Sequence, residues 1–322
     1  MSALFKRLLH AEQAGLLLAF LLLCVVLSFL SPVFLSAVNL KNVLRDAALI
    51  CIAATGMVMI ILLGEIDLSV GSTQAVAGIV AVAMLNYSDS VFVGLLAALA
   101  AGALIGLANG LLVTRARINS LIATLGMMAI LRGGSMVSTQ AVSIQAHVDG
   151  FVEIGTGHLA GIPIPVALAA LVFGLFYYVL HHTPLGRYIY AIGGNAEAAR
   201  LAGLSVDRTR VAVFVIGGTL AALSAFILAS RLNSGQPNAG LGFELQVIAA
   251  VVLGGISLTG GVGTLIGALI GILILTVLNN GLVLLNVSSF YHDIARGAVI
   301  ILAVYLDSRR RQSLVRRLLE RG

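Results

Sequence analysis

Long apolar runs alternate with short polar connections along almost the whole chain. A helix that crosses a bilayer needs about 20 apolar residues, and ten runs come close to that length. They lie at residues 14–35, 46–63, 71–86, 91–113, 121–138, 163–180, 210–230, 244–262, 264–285 and 290–306. The pattern predicts an all-α integral membrane protein, a polytopic bundle of about ten spans that forms one domain over residues 1–322. The first run is too long for a cleavable signal peptide and is predicted to remain as a span.

Composition excludes a water-soluble enzyme. Of the 322 residues, 60% are hydrophobic and 10% are charged, whereas soluble domains carry about 25% charged residues. The net charge of +6 does not indicate nucleic acid, because the basic residues lie at the chain ends and in short connections. Cys24 and Cys51 both lie inside apolar runs, which favours buried hydrophobic positions over a disulfide.

The placement of the basic residues predicts the orientation in the membrane. With a cytoplasmic N-terminus and alternating spans, the outer segments contain only Lys41, Arg45 and Arg231, while Arg132 and Arg296 fall within spans. The cytoplasmic segments contain Lys6, Arg7, Arg115, Arg117, Arg187, Arg200, Arg208, Arg210, Arg309, Arg310, Arg311, Arg316, Arg317 and Arg321. By the positive-inside rule both termini are cytoplasmic and the number of spans is even. Ten spans fit, and eight result if the glycine-broken segments re-enter rather than cross.

The longest cytoplasmic connection, residues 181–210, predicts a short helix. Asn195 can cap its N-terminus, Glu197 suits the first turn, and Gly203 can end it. The helix would present Ala198, Ala199, Leu201 and Ala202, which are small or apolar and fit a groove on another protein. The alternative is a loop helix that packs on its own bundle, since a short helix needs a packing surface.

A second candidate site lies at residues 64–72, where Glu65, Asp67 and Ser69 stand at membrane depth or its edge. One interpretation is a broken helix that lines a transport pathway, with Gly64 and Gly71 permitting unwound backbone. The other is that Asp67 or Ser69 caps the following helix.

The stretch at residues 63–71 also lines up with residues 253–261. The alignment indicates either an internal duplication, which is common in transporters, or chance in a glycine-rich chain. The candidate pathway or gate residues from both stretches are Gly64, Glu65, Asp67, Ser69, Gly71, Gly254, Gly255, Ser257 and Thr259. Because Ser257 stands where the first copy has Asp67, a relay of matched carboxylates is not favoured.

Five motifs in order along residues 40–305 resemble the ribose-type sugar permeases of ATP-driven (ABC) importers. They are Gly64-Glu65-Ile66-Asp67-Leu68-Ser69-Val70-Gly71-Ser72, Ile122-Ala123-Thr124-Leu125-Gly126, Thr183-Pro184-Leu185-Gly186-Arg187, Gly193-Gly194-Asn195-Ala196-Glu197-Ala198-Ala199-Arg200-Leu201-Ala202-Gly203-Leu204 and Val252-Leu253-Gly254-Gly255-Ile256-Ser257-Leu258-Thr259-Gly260-Gly261. The resemblance implies that the short cytoplasmic helix is a coupling helix seated on an ATPase subunit. Its ATPase-coupling residues would be Asn195, Glu197, Ala198, Ala199, Arg200, Leu201 and Gly203.

The resemblance also implies the partners and the location. They are a separate ABC ATPase, a periplasmic sugar-binding protein, a second permease subunit that is identical or related, and the lipid bilayer of the bacterial inner membrane. The chain itself would bind no cofactor, with ATP and Mg²⁺ on the partner ATPase. A P-loop places a Lys after glycine, and the only lysines, Lys6 and Lys41, are not preceded by one. We therefore expect no enzymatic activity in this chain, and the solute is not identified by the sequence beyond a neutral, sugar-like molecule.

The remaining charged residues receive structural interpretations. Asp293 and Arg296 are spaced to form an ion pair on one helix face, and Arg132 has no obvious local partner. The outer connection, about residues 139–163, carries Gln140, Gln145, His147, Asp149, Glu153 and His158. We interpret it as a docking rim for the binding protein and predict no metal site. The rival function is an ion-coupled secondary transporter that uses Glu65, Asp67 and Asp293.

Overall fold

The computed structural model describes residues 3–288 and, beyond them, residues 291, 294, 297, 298, 301 and 305. Its long helices are α1 (Ala3–Leu30), α2 (Ala37–Leu62), α3 (Val70–Ser88), α4 (Val91–Thr114), α5 (Ser120–Thr139), α7 (Ile164–His182), α10 (Val206–Leu232) and α12 (Leu265–Leu284). The shorter helices are α6 (Phe151–Thr156), α8 (Pro184–Gly194), α9 (Ala196–Leu201) and α11 (Phe243–Leu253). The strands β1 (Ile144–Gln145), β2 (His158–Leu159), β3 (Ile162–Pro163) and β4 (Ser234–Gly235) pair as β1 with β4 and β2 with β3, both antiparallel.

Eight helices in the described part of the chain are long and apolar enough to cross a membrane. The predicted polytopic helical membrane protein is thereby confirmed. Helices α1 and α2 begin well before the apolar runs that predicted them, at Ala3 and Ala37 rather than at residues 14 and 46. For α2 the reason is local, because the Ser36 side chain accepts a hydrogen bond from the Asn39 backbone N–H and caps the helix nine residues before the apolar core begins.

The predicted span at 244–262 is not one helix. Helix α11 ends at Leu253, and residues 254–264 form an irregular connection to α12. Four glycines of this connection, Gly255, Gly260, Gly261 and Gly263, have positive φ, a backbone conformation that ends helices. Of the last predicted span, 290–306, the structure describes only residues 291, 294, 297, 298, 301 and 305.

Contacts between helix ends show that neighbouring helices run in opposite directions. Near the end of α12, Asn280 is hydrogen-bonded to Asn39 at the start of α2. The start of α12 lies at the other end of the bundle, where the Gly261 N–H donates to the carbonyl of Leu62 at the end of α2. Because Arg231 at the end of α10 pairs with Asp46 in the first half of α2, the segment from 233 to 264 runs from the end of the bundle where α2 begins to the end where α2 finishes.

Helix α10 packs against α2, α3 and α4. Its glycines allow backbone contact, since a Cβ at Gly218 would lie 2.2 Å from the carbonyl oxygen of Gly102 on α4. Likewise a Cβ at Gly56 of α2 would lie 2.8 Å from the Cα of Gly217. Such close approach is how helices associate in a bilayer, where the hydrophobic effect between them is absent.

Candidate functional site

The stretches predicted to be related, 63–71 and 253–261, include glycine-rich turns that the structure places at residues 63–69 and 254–264, and the two turns begin in the same way. After α2, Gly64 has φ +79°, its N–H donates to Ile61 and the Glu65 N–H donates to Ile60. After α11, Gly255 has φ +85°, its N–H donates to Val252 and the next N–H donates to Val251. Both are Schellman endings, which use a residue with positive φ to satisfy the last helix carbonyls.

The two turns touch each other and also touch the end of α8. A Cβ at Gly260 would lie 2.7 Å from the Gly64 nitrogen and 2.9 Å from the Gly193 oxygen. A Cβ at Gly193 would lie 1.8 Å from the Leu62 oxygen and 2.5 Å from the Gly261 nitrogen. Only glycine fits at such distances. The sequence-predicted pathway segments and the chain leading to the predicted coupling helix therefore meet at one point.

A side chain adds to this junction from α8. The Tyr190 hydroxyl donates to the Gly263 carbonyl at 3.0 Å. Burial raises the pKa of Tyr190 to about 12, so the hydroxyl remains protonated and able to donate at neutral pH. Helix α8 itself was not predicted, although the Thr183-Pro184 pair at its start is a helix-beginning signal.

Buried polar side chains hold the first turn. The Asp67 carboxylate accepts hydrogen bonds from the Ser69 backbone N–H at 2.8 Å and from its hydroxyl at 2.6 Å. The Asn109 amide, from α4, donates to the Ser69 hydroxyl oxygen at 2.8 Å. Asp67 and Ser69 are 2% and 1% exposed. Asp67 thus holds the residues just before α3 in place. Ser69 occupies the N-cap position of α3, but its side chain makes no capping hydrogen bond.

Helix α5 binds the backbone of the same turn. The Ser120 hydroxyl accepts from the Ile66 N–H at 3.3 Å, and the Thr124 hydroxyl oxygen accepts from the Leu68 N–H at 3.0 Å. Because Ser120 and Thr124 are one helical turn apart, they contact alternate residues of an extended segment. Thr124 belongs to the second of the five sequence motifs, and this contact gives that motif a structural role.

An ion pair joins the first turn to the start of α10. Arg210 Nε lies 2.9 Å from Glu65 Oε1, but its N–H makes no hydrogen bond, so the contact is an ion pair only. The Arg210 and Glu65 side chains are 23% and 11% exposed. They line a polar cleft of about 430 Å³ together with Arg117, Arg200 and Asp207. The cleft lies between the α4–α5 connection and the beginning of α10.

The predicted short helix is present as α9 and has the predicted ends. Asn195 Oδ1 accepts from the Ala198 N–H at 2.9 Å, and Gly203, with φ +87°, follows the helix. Ala199 is buried at 5% exposure, whereas Leu201 is 83% exposed. One side of the helix thus packs on its own bundle and the other is open, and the fit of the open side to a groove on another protein stays a prediction. The salt bridge between Arg200 and Glu197 measures 3.2 Å and lies on the open side.

Comparison with known proteins decides the family. Residues 39–304 match the family model described as "Branched-chain amino acid transport system / permease component". The chain is 46% identical over 303 residues to the ribose import permease protein of Escherichia coli K12, covering 93% of this chain and 94% of that protein. It is 40% identical over 300 residues to an L-arabinose ABC transporter permease of Azospirillum brasilense, covering 93% and 88%. The chain belongs to this permease family.

No solved structure matches the chain. The resemblance to ribose-type permeases that the motifs indicated is confirmed by the matched relatives. Members of this family are transport components, and the eight apolar helices agree with a multi-pass membrane permease. The described residues contain no group of three His, Cys, Asp or Glu side chains that could hold a metal ion.

The other predicted pathway residues of this permease lie at helix contacts or within the second turn. Gly254 packs against α12, since a Cβ there would lie 2.4 Å from the Gly267 oxygen. The Ser257 and Thr259 hydroxyls lie 3.0 Å apart within the second turn. Gly71 lies in the first turn of α3 against the Glu244 carboxylate of α11. Asp293 and Arg296, the predicted ion pair, lie outside the described residues.

Arg132 has a function in the fold that sequence spacing did not reveal. Its guanidinium donates to the carbonyls of Pro237 at 2.9 Å and Ala239 at 2.8 Å, and it interacts electrostatically with Glu244. It thereby holds the irregular connection between α10 and α11. Its partners follow it by more than 100 residues, so no helical periodicity around Arg132 could have indicated them.

Proposed function

We propose that this chain is the permease subunit of an ATP-driven importer for a sugar or a sugar-like neutral solute. The relatives that it matches over most of its length are permeases whose names give ribose and L-arabinose. Two such subunits form the translocation pathway, a binding protein delivers solute to the outer connection at 139–163, and ATP with Mg²⁺ is bound and hydrolysed on a separate ATPase. The protein lies in the bacterial inner membrane with both termini cytoplasmic and about ten spans.

The junction at Gly193 is the observation that carries the coupling mechanism. Helix α9 presents an open face, and Gly193 of the helix before it lies directly against the backbone of Leu62 and Gly261. A movement of α9 imposed by the ATPase therefore reaches both glycine-rich turns without passing through flexible side chains. The ion pair between Arg210 and Glu65 supplies a second connection, from α10 to the first turn.

The rival function, an ion-coupled secondary transporter, is less well supported. Asp67 is occupied by hydrogen bonds from Ser69, and Glu65 is paired with Arg210. Binding of a coupling ion at either carboxylate would require these contacts to be broken and remade in each transport cycle.

The test is a pull-down of the permease in detergent from its native host, with partners identified by mass spectrometry. A P-loop ATPase should co-purify with wild type and be lost with Glu197→Arg or Gly203→Trp, both of which alter exposed positions on or beside α9. The matched control is Asp149→Arg, the same charge reversal on the outer connection, which should retain the ATPase. If no ATPase co-purifies with wild type, or uptake collapses with a proton uncoupler while ATP is held constant, the proposal is wrong.

A further inference from the structure

A cavity of about 760 Å³ lies away from the two turns, at the end of the bundle where α2 begins. It is bordered by the first half of α2, the start of α3, the last half of α12, the end of α10 and the start of α11. Exposure falls from 73% at Val38, near the mouth, to 2% at Gln74, on the floor. We call it the amide cavity, because its walls carry the side-chain amides of Asn39, Asn42, Gln74, Gln246, Asn279 and Asn280.

The amides of α12 share one helix face. Thr276, Asn279 and Asn280 are spaced by three and four residues and all line the cavity. Asn39 and Asn42 on α2 line it from the opposite side. Polar side chains within apolar spans are expensive, and those that occur usually face a cavity or a partner rather than lipid. Their concentration on two facing helices indicates a site rather than scattered polar residues.

Some of these amides are fixed by the protein and some are free to bind a solute. Asn39 and Asn280 form a reciprocal pair at 3.0 and 2.8 Å that joins α2 to α12. Gln74 donates to the Ser224 hydroxyl at 3.0 Å, and that hydroxyl donates to the Leu49 carbonyl at 2.9 Å. The Gln74 amide is therefore held in one orientation.

Three groups on the wall remain available to a solute. Among the described residues, neither the Gln74 carbonyl oxygen nor the side-chain amides of Gln246 and Asn279 have a hydrogen-bond partner. Each amide can both donate and accept, which is what a hydroxyl group needs from its neighbours. Phe243 adds an apolar surface to the same wall.

The charges of the cavity select the class of solute. Asp46 and Arg231 are the charged side chains on its wall, and they pair with each other. The remaining polar groups are neutral, so the wall offers no unbalanced charge to an ion. The volume lies within the range of small-molecule sites, about 300–1,000 Å³.

We propose that the amide cavity is a solute-binding site inside a single protomer that takes a neutral, polyhydroxylated molecule of sugar size. The site rests on the proposed permease function and specifies where within the chain the solute is held. It lies at the opposite end of α2 from the two glycine-rich turns, so solute binding and ATPase coupling occupy separate ends of the same helix.

The first experiment uses the whole importer, with its ATPase and binding protein, in proteoliposomes. Asn279→Ala and Gln246→Ala should each lower the uptake rate of D-ribose or L-arabinose about three- to tenfold, the effect of losing one neutral hydrogen bond. Stimulation of the ATPase by loaded binding protein should persist, because α9 is untouched. The control is Asn238→Ala, an exposed asparagine on the α10–α11 connection that does not line the cavity. Unchanged uptake in both cavity variants would overturn the site.

The second experiment needs no ATPase and so separates failure of the site from failure of the importer function. Val283→Cys, which lies on the cavity wall one helical turn after Asn279 and leaves the amides intact, is combined with Cys24→Ser and Cys51→Ala and labelled in detergent by a maleimide. D-ribose or L-arabinose should slow labelling severalfold, whereas the zwitterion leucine should not. If only leucine slows the labelling, or if none of the three solutes does, the proposal is contradicted. This result does not depend on whether the alanine variants of the first experiment assemble. Protection by sugar without a co-purifying ATPase would retain the site and reject the importer.

Discussion

The two glycine-rich turns end their helices in the same way but are held in place by different means. The turn at 63–69 is fixed by side chains from three other helices, through Asn109, Ser120, Thr124 and Arg210. The turn at 254–264 is fixed mainly by backbone packed on backbone, at Gly254 and Gly260. The same turn geometry is thus stabilised by polar side chains at 63–69 and by close backbone packing at 254–264. The first should be sensitive to the loss of polar groups and the second to the addition of any side chain.

The largest effect is expected at the point where both turns meet α8. Gly193→Ala places a methyl group on top of the Leu62 oxygen and should destabilise the protein by about 3 kcal/mol, since overpacking against backbone cannot relax locally. The adjacent glycine is the control, because a Cβ at Gly194 meets nothing within 4 Å. Gly194→Ala should change stability by less than about 0.5 kcal/mol. Chemical denaturation in mixed micelles measures both, and equal effects would refute the steric interpretation.

The next effect separates the two turns directly. Asp67→Ala removes the acceptor of two Ser69 hydrogen bonds in a buried site and should cost about 2–3 kcal/mol. The aligned change in the second turn, Ser257→Ala, should cost less than about 1 kcal/mol, because backbone contacts hold that turn. The same denaturation assay applies. If Ser257→Ala were the more damaging of the two, the proposed difference between the turns would not exist.

A smaller effect concerns the link between the first turn and α10. In a double-mutant cycle of Glu65→Gln and Arg210→Gln, the coupling energy should be about 1–2 kcal/mol, since the pair is mostly shielded from solvent. Uptake by the assembled importer should fall in each single variant and partly recover in the double variant, where neither charge is left alone. Strictly additive effects on stability would mean that the pair carries no coupling.

The smallest effect tests the one side chain that reaches the second turn from α8. Tyr190→Phe deletes the hydrogen bond to the Gly263 carbonyl and should cost about 1 kcal/mol at neutral pH. The wild-type advantage should hold below about pH 10, where the unfolded tyrosine ionises, and should disappear as the pH rises toward 12. An advantage that persists at the highest pH would show that the hydroxyl proton is not involved.

The sequence could predict whatever depends on local pattern. Apolar runs located eight long helices, and Asn195 with Gly203 marked the ends of α9, because capping is decided within a few residues. The similarity of the two turns was also visible, although the structure pairs Gly64 with Gly255 rather than with Gly254.

Whatever depends on distant partners could not be predicted. Arg132 binds carbonyls more than 100 residues later in the chain, and the Asn39–Asn280 pair spans 241 positions. The prediction of one continuous helix at 244–262 was wrong. The hydropathy pattern there is dominated by apolar residues, whereas the backbone conformation is decided by the glycines, which adopt positive φ and end the helix. The amide cavity was missed for a similar reason, since its walls come from helices far apart in sequence and no single segment appears polar.

The backbone contact between α4 and α10 has a consequence for how the protein is made. Gly102 and Gly106 of α4 pack against α10, which leaves the ribosome after α5 through α9 have been synthesised. Until then, the groove along Gly102 and Gly106 faces lipid or a temporary neighbour. The contact between α4 and α10 can therefore form only late in synthesis, when α10 is inserted beside an α4 that is already in the membrane.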